Sequence, residues 1–303
     1  ALLIESSLGT GGQCRERRRC DQPCGAGGYT GSMTVSTIAF IGGGNMASAI
    51  AGGLVKAGWP AALLIVVEPD GAQRERLQRE LGVQTLAQAG AGLESAGLVV
   101  WAVKPQAFSA AAAQCAAHVG TALQLSVMAG IRSDAIARAT GSERVVRAMP
   151  NTPALIGRGC TGLHARAGVD AAQRALIEQV LQPTGTTMWF DAEHHLDAVT
   201  ALSGSGPAYV FYFVEAMIEA AVQMGLSADD GRRLALATFD GATALAAQST
   251  DPPALLRERV TSKGGTTHAA ITALEASGVR QAFVAAMLAA QRRARELGDE
   301  FGR

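Results

Sequence analysis

The first half of the chain alternates short apolar runs with segments of helical periodicity. Apolar runs at 37–41, 63–67, 98–103 and 123–128 have the length and composition of buried strands. Between them, apolar residues recur at helical spacing and the connecting segments are short. This alternation predicts βαβ units and an α/β fold, in which helices cover both faces of a doubly wound parallel sheet.

The first apolar run leads directly into a glycine-rich turn, which is followed by an apolar helical segment. In this G-x-G-x-x-A pattern, Gly42 permits a tight turn, Gly44 leaves room for a pyrophosphate, and Ala47 keeps helix and strand close. A strand, such a turn and a helix opening indicate a Rossmann-type dinucleotide site. We assign to it Ile41, Gly42, Gly43, Gly44, Asn45 and Met46.

The ends of later strands extend this expected cofactor site. In an open parallel sheet the ligand lies beyond the carboxyl ends of the strands, so the nicotinamide half is expected to meet the segments that follow the third and fourth runs. These segments provide Ala102, Val103, Lys104, Pro105 and Ala129. For Lys104, a solvated loop lysine remains the alternative interpretation.

Glu68 follows the second apolar run, where an acidic side chain normally accepts hydrogen bonds from the adenosine ribose and repels a 2′-phosphate. Arg74 and Arg76 lie one or two turns along the next predicted helix, and either is able to bind such a phosphate. The residues therefore leave the choice between NAD(H) and NADP(H) open, and we predict dual use.

A second anion site is predicted near the C-terminus. Gly264 and Gly265 let backbone N–H groups turn toward a common point, and the chain from Thr267 onward has the apolar spacing of a helix. Such a loop holds a carboxylate or a phosphate, with added hydroxyl donors from Ser262, Thr266 and Thr267. The alternative interpretation is an ordinary helix cap.

Residues 193–303 are predicted to form an all-helical region. Its helix at 209–224 is apolar nearly all round, which is more apolar surface than a region of this size can cover by itself. We therefore expect a second subunit to cover it. Glu215, Glu219 and Gln223 cross the longest apolar stretch at helical spacing, so the sequence predicts a core helix and no membrane span.

Composition excludes several partners. Apolar residues make up 48% of the 303 residues, enough for a sizeable core, and 26 basic residues balance 26 acidic ones. After residue 32 there is no basic stripe, so no nucleic-acid partner is predicted. Cys115 and Cys160 are expected to be reduced in a cytoplasmic protein. The adjacent His194 and His195 have no companions for a metal site, so no metal is predicted.

Residues 1–32 differ from the rest of the chain. They contain three of the five cysteines and the basic run at 15–19, and they end in a glycine-rich stretch before Met33. We interpret them as a leader or tag without fixed structure. The remainder is expected to divide into a dinucleotide-binding domain at 33–192 and a helical substrate-binding and dimerisation domain at 193–303.

Five segments together resemble the pyrroline-5-carboxylate reductase family: 42–46, 102–105, 147–154, 203–209 and 260–275. The resemblance implies that hydride from a reduced nicotinamide cofactor, more often NADPH, saturates the ring C=N of 1-pyrroline-5-carboxylate to give proline. It also implies a homodimer with interleaved helices, and dimers that assemble further into a ring.

The same resemblance assigns roles to single residues. The N–H groups of Gly265 and Thr266, with the Ser262 hydroxyl, hold the substrate carboxylate. Thr267 lies near the ring nitrogen, where its hydroxyl orients the imine or relays a proton. Asn151 is expected to face the nicotinamide. A plain helix cap remains the alternative for Thr267.

Two other function classes stay open from the residues alone. A hydroxyacid dehydrogenase of similar architecture would want a lysine in the first helix of the second domain, but no lysine lies between Lys104 and Lys263. A non-enzymatic nucleotide-binding protein would need the glycine turn but would not need the loop at 262–267. The presence of that loop favours the imine-reducing enzyme.

Overall fold

The computed structural model describes residues 36–301, so the predicted leader at 1–32 lies outside the described residues. The strands of the sheet are β1 Thr37–Ile41, β2 Leu64–Val67, β3 Gln84–Leu86, β4 Ala96–Trp101, β5 Leu123–Ser126, β6 Val145–Met149, β7 Gly159–Ala165 and β8 Gly185–Trp189. The helices among them are α1 Asn45–Lys56, α2 Gly71–Leu81, α3 Phe108–Val119, α4 Ser133–Thr140 and α5 Ala171–Leu181.

The strand order is β3-β2-β1-β4-β5-β6-β7-β8. Strands β1 to β6 are all parallel, and their order is that of a doubly wound dinucleotide-binding sheet. The prediction of a Rossmann-type sheet is therefore confirmed. The sequence pattern did not predict that β7 runs antiparallel to β6; a short 3₁₀ segment, Thr152–Ile156, returns the chain directly alongside β6.

Strands β1, β2, β4 and β5 are buried on both faces, which explains why they are predominantly apolar, whereas the edge strands β3 and β8 are partly exposed. In β1, Ile38 and Phe40 point into one core, and the alternating Ala39 and Ile41 point into the other. Because β1 lies near the middle of the sheet, its carboxyl end and the glycine turn that follows are held by rigid packing on each side.

The C-terminal region is helical, as predicted. It consists of α6 His195–Val199, α7 Gly206–Gln223, α8 Ala228–Gln248, α9 Pro253–Arg259, α10 Thr266–Ala276 and α11 Val279–Phe301. Within residues 36–301, no helix is long and apolar enough to cross a membrane. The sheet and these helices belong to one compact unit, so the domain boundary between 192 and 193 stays a prediction.

The start of α7 is continuous with the helix before it. The chain does not enter α7 from a loop: a single π-helical turn, Thr200–Gly204, connects it to α6. Ser205 is at the N-cap position, but its side chain makes no capping hydrogen bond. The turn packs closely against β6 at Gly204, where a Cβ would lie 2.6 Å from Met149 Cε.

Candidate active site

The glycine turn after β1 has the shape that a pyrophosphate requires. Gly42 has a φ of 98°, and a Cβ at this position would lie 2.8 Å from the Ala102 carbonyl oxygen. Only glycine fits there. Gly44 faces open space, since nothing lies within 4 Å of its Cβ position. Helix α1 begins at Asn45, so the N–H groups of its first turn have no partner within the helix and are available to an anion.

A groove of about 630 Å³ lies at the carboxyl ends of β1, β2 and β4. The predicted cofactor residues that line it are Ile41, Gly42, Gly44, Glu68, Ala102, Val103 and Lys104. Other residues line the groove that the sequence did not predict there, including Pro69, Ala87, Gln88, Ala107, Ala110, Ala111, Gln114 and Cys115. Half of these are alanines without polar chemistry, and four of the residues lie within α3, so no motif marks them.

The remaining predicted cofactor residues lie around the groove and do not line it. Gly43 is buried beneath Glu68, Asn45 and Met46 form the first turn of α1, and Pro105 begins the 3₁₀ turn after Lys104. Ala129 lies half-buried beyond the end of β5. Their contact with a cofactor stays a prediction.

The Asn151 side chain makes two hydrogen bonds within the protein. Its Nδ2 donates to the Ser203 carbonyl oxygen at 3.1 Å, and its Oδ1 accepts from the Cys160 N–H at 2.9 Å. The amide therefore ties the loop after β6 to β7 and to the π-helical turn before α7. The resemblance predicts that Asn151 faces the nicotinamide. Because both of its amide atoms are hydrogen-bonded within the protein, that contact is left to its backbone and Cβ.

Glu68 turns inward to the glycine loop. Its Oε2 accepts a hydrogen bond from the Gly43 N–H at 2.8 Å, and its Oε1 accepts from the Asp70 N–H at 3.0 Å. Asp70 in turn caps α2 by accepting from the Ala72 N–H. Two carboxylates therefore lie at the end of β2, the end of the groove where a dinucleotide places its adenosine ribose.

The two arginines of α2 face different surroundings. Arg74 donates to the carbonyl oxygens of Glu68 and Pro69, at 2.8 and 2.7 Å, and so lies at the β2–α2 turn. Arg76 lies against α1, with its Nη2 at 3.4 Å from Ser48 Oγ, and it lines a separate cavity. Of the two arginines, Arg74 therefore lies at the end of β2 where a 2′-phosphate is expected, and contact of either arginine with such a phosphate stays a prediction.

The predicted anion loop lies between α9 and α10. Gly265 is the N-cap of α10, Gly264 has a φ of 75°, and Ser262 Oγ would lie only 2.7 Å from a Cβ at position 265. The Ser262 hydroxyl and the N-terminus of α10 are thus adjacent. The resemblance assigned the Gly265 N–H to the substrate carboxylate. In the structure this N–H instead donates to the Ser262 carbonyl oxygen at 3.0 Å. The donors left for an anion are the N–H groups of Thr266 and Thr267.

Thr267 is the second residue of α10 and not its cap, because Gly265 holds the capping position. Ser262, Gly264 and Thr266 are exposed, whereas Thr267 is half-buried. The groove residues all come from the chain between Ile41 and Cys115. Groove and loop are thus formed by separate parts of the protomer.

A cluster of charged side chains joins the sheet to the helices. We call Arg132, Ser133, Arg147, Glu193 and Asp197 the junction cluster. Arg147 Nη1 lies 2.8 Å from Glu193 Oε1, and Arg132 makes a two-point contact with Asp197 at 3.0 and 3.1 Å. The N–H and hydroxyl of Ser133 each donate to Glu193 at 2.7 Å. Arg147 and Asp197 are almost fully buried.

The protonation of this cluster follows from its burial and its hydrogen bonds. Burial alone would raise the pKa of Glu193, but the hydrogen bonds from Ser133 and the charge of Arg147 outweigh it and hold this pKa below its ordinary value. Burial lowers the pKa of Arg147, although the Glu193 carboxylate opposes that effect. Glu193 therefore stabilises the fold when ionised, and its contribution is lost as the pH falls below the ordinary carboxyl range.

Removing the charge of Glu193 is expected to destabilise the protein strongly. Glu193→Gln leaves the buried Arg147 without an anion, which costs about 3 kcal/mol of unfolding free energy. Denaturant titration at neutral pH measures this loss, and repeating it at acidic pH should show a smaller gap from wild type, because Glu193 then protonates. The control is Arg158→Met: its ion pair with Asp240 is exposed, and a change below about 1 kcal/mol is expected. Equal losses in both variants would contradict this account.

The described residues 36–301 contain two cysteines. Cys115 and Cys160 are both free, and burial raises the pKa of the Cys115 thiol to about 11, so this group on the groove wall stays a neutral thiol. Among residues 36–301, no group of three or more His, Cys, Asp or Glu side chains has an arrangement that could hold a metal ion.

Sequence comparisons with known proteins match both the part of the chain that forms the groove and the helical region that carries the loop at 262–267. The sequence model for pyrroline-5-carboxylate reductase dimerisation matches residues 193–297. The model described as NADP oxidoreductase, coenzyme F420-dependent, matches residues 37–130. A pyrroline-5-carboxylate reductase of Pseudomonas aeruginosa is 42% identical over 272 residues, which are 89% of this chain and 100% of that protein.

Solved structures agree as well. A pyrroline-5-carboxylate reductase from Coxiella burnetii superposes with a TM-score of 0.80 at 36% identity, over 87% of this chain and 98% of that one. A Plasmodium falciparum pyrroline carboxylate reductase with NADP bound has a TM-score of 0.78 at 26% identity, over 87% and 98% of the two chains. Groove, anion loop and helical region all fall within the matched length, and the chain belongs to the pyrroline-5-carboxylate reductase family.

Proposed function

We propose that the groove and the loop at 262–267 form the active site in which this enzyme reduces 1-pyrroline-5-carboxylate to L-proline. The observation that carries the proposal is the pairing of two anion sites: open space over Gly44 at the start of α1, and the Ser262 hydroxyl beside the start of α10. The first suits a dinucleotide pyrophosphate, and the second suits a small carboxylate.

Separate residues of the chain then bind the substrate and orient it for imine reduction. A bound NAD(P)H supplies the hydride for the ring carbon of the C=N bond. The N–H groups of Thr266 and Thr267, with the Ser262 hydroxyl, hold the substrate carboxylate, while Gly264 and Gly265 shape the loop around it. The Thr267 hydroxyl, being both donor and acceptor, orients the ring nitrogen or relays its proton.

Substrate binding is expected to depend on Gly265. A side chain at this position meets Ser262 Oγ, so Gly265→Val displaces the hydroxyl and obstructs the carboxylate. We expect KM for 1-pyrroline-5-carboxylate to rise by about tenfold or more, while NAD(P)H affinity holds, because the groove is formed by other residues. Initial-rate kinetics together with a cofactor titration measure both. Equal loss of the two affinities would contradict a separate carboxylate site.

For the cofactor, we propose NADPH as the principal hydride donor, with NADH used better than by relatives that lack the acid. Arg74 at the β2–α2 turn supports binding of a 2′-phosphate. Glu68 and Asp70 at the same end of the groove support binding of an unphosphorylated ribose. These opposed charges are the reason for dual use.

We propose a homodimer as the minimal active unit, with 33–192 as its dinucleotide-binding domain and 193–303 as its helical domain. The helices expose large apolar side chains that a monomer leaves in water, including Phe211 (59% exposed) and Tyr212 (69% exposed) on α7. Others are Leu234, Leu245, Val284 and Leu288. A ring of such dimers rests on the family resemblance, and light scattering of the purified chain distinguishes dimer from ring.

The dimer also explains how groove and loop meet. The loop's own hydrogen bonds are local, and its outer residues are exposed. We propose that the loop of one protomer closes over the groove of its partner, so that each active site uses two chains. In this arrangement, dilution to monomers abolishes turnover even though every site residue is present.

Mixing two strongly impaired variants tests this arrangement. Gly44→Val fills the pyrophosphate space, and Thr267→Ala removes the hydroxyl of the loop. In a heterodimer of the two, a shared site leaves one active site fully intact, and about half of the wild-type turnover per dimer returns. If groove and loop belong to one chain, both sites carry a lesion and the heterodimer stays as inactive as the two homodimers.

A further inference from the structure

The loop between β5 and α4 is held from outside the sheet. It carries Ala129, the residue predicted to meet the nicotinamide, and it continues through Gly130 to Arg132. A Cβ at Gly130 would lie 3.2 Å from Leu297 Cβ, so the loop packs closely against α11. The position of this cofactor loop therefore depends on a helix of the C-terminal region.

Arg132 makes the second contact with the same region. Its guanidinium forms the two-point ion pair with Asp197 on α6, and it lies against Gly298 on α11. A Cβ at position 298 would lie 2.6 Å from Arg132 Cζ, so the guanidinium occupies space that only a glycine leaves. Asp197 is 6% exposed, which makes the pair a buried one with little freedom to shift.

Ser133 fixes the loop at a third point, through its two hydrogen bonds to Glu193. The cofactor loop is thus attached to α11, to α6 and to the segment just before α6 within a few residues of Ala129. These attachments are more than a stable sheet requires, because β5 is already paired on both sides by β4 and β6.

We propose that Arg132 is a positioning residue for hydride transfer. Resting on the proposed function, the guanidinium, seated against Gly298 and paired with Asp197, sets the nicotinamide-facing loop relative to the helical region, and the dimer contacts of that region place the partner's substrate loop over the groove. A displacement of about 1 Å between hydride donor and acceptor costs up to a hundredfold in rate. Arg132 is assigned this role through the loop that it anchors, because its guanidinium is bound to Asp197.

Gly298→Ala tests the proposal without changing a charge. The added methyl group pushes the guanidinium away from Asp197, and we expect kcat to fall by about tenfold. With cofactor deuterated at the transferred position, the kinetic isotope effect on kcat should rise, because hydride transfer becomes slower than product release. NAD(P)H affinity should change little, since the groove is untouched. The matched control is Gly92→Ala, whose methyl makes only ordinary contact with Leu86 Cδ1 at 3.7 Å.

Arg132→Lys is the second variant, and it decides the matter if Gly298→Ala fails to fold. Lysine keeps the charge but loses the two-point contact, so kcat should again fall and the isotope effect rise. A lower melting temperature with wild-type kcat and isotope effect in the variants would overturn the proposal and make Arg132 purely structural. Absence of 1-pyrroline-5-carboxylate reduction by the wild-type chain would instead reject the proposed function.

Discussion

Thr267→Ala is expected to lower kcat for imine reduction by about ten- to a hundredfold, with the fold intact. Thr267 is not the cap of α10, and among the described residues its hydroxyl has no hydrogen-bond partner, so it is free to serve a ligand. The hydroxyl of Thr272 in the same helix instead donates to the His268 carbonyl oxygen at 2.8 Å. A loss of turnover is therefore expected at one threonine of α10 and not at the other.

Steady-state kinetics and thermal melting have to be measured together for this comparison. Thr267→Ser keeps a hydroxyl and should recover most of the turnover, whereas Thr272→Ala should leave kcat near wild type. A Thr267→Ala variant with a lower melting temperature and normal turnover would show that Thr267 stabilises the helix and takes no part in catalysis.

Glu68→Ser is expected to shift the ratio of kcat/KM values toward NADPH over NADH by about tenfold or more, equivalent to roughly 1.4 kcal/mol. The substitution removes a negative charge from the ribose end of the groove, while Arg74 and the substrate loop stay in place. Its substrate KM should therefore remain unchanged. Initial rates with each cofactor at a fixed substrate concentration give the ratio.

Glu68 also supports the glycine turn, so a second variant has to separate charge from structure. Glu68→Gln keeps an oxygen that can accept from the Gly43 N–H, and it removes only the charge. A shift toward NADPH in both variants assigns the effect to charge. An unchanged NADPH to NADH ratio of kcat/KM values in both variants would show that the Glu68 carboxylate does not contact the ribose.

Four of the eight strands, β1, β2, β4 and β5, were predicted from apolar runs, but the carboxyl ends of β4 and β5 were not. The third apolar run continues through Ala102 and Val103, although β4 ends at Trp101, because the chain leaves the sheet without leaving the protein interior. The fourth run overshoots β5 in the same way at Val127 and Met128. Apolar residues report burial, and at this edge of the sheet burial continues into the groove.

The glycine turn was predictable because its requirements are local. A positive φ at Gly42 and open space at Gly44 follow from a few consecutive residues. The junction cluster was not, since Arg132 and Asp197 lie far apart in the sequence and share no periodicity. The Asn151 bridge and the internally bonded Gly265 N–H depend likewise on three-dimensional contacts that no motif encodes.

The central claim is that this chain reduces a cyclic imine with a nicotinamide cofactor. The most direct measurement follows the absorbance of NADPH and of NADH when the purified chain is given 1-pyrroline-5-carboxylate, and quantifies the proline formed. We expect oxidation of both cofactors, with one proline produced per cofactor consumed. No oxidation with this imine, together with turnover of small 2-oxo or 2-hydroxy acids, would contradict it and favour a hydroxyacid dehydrogenase.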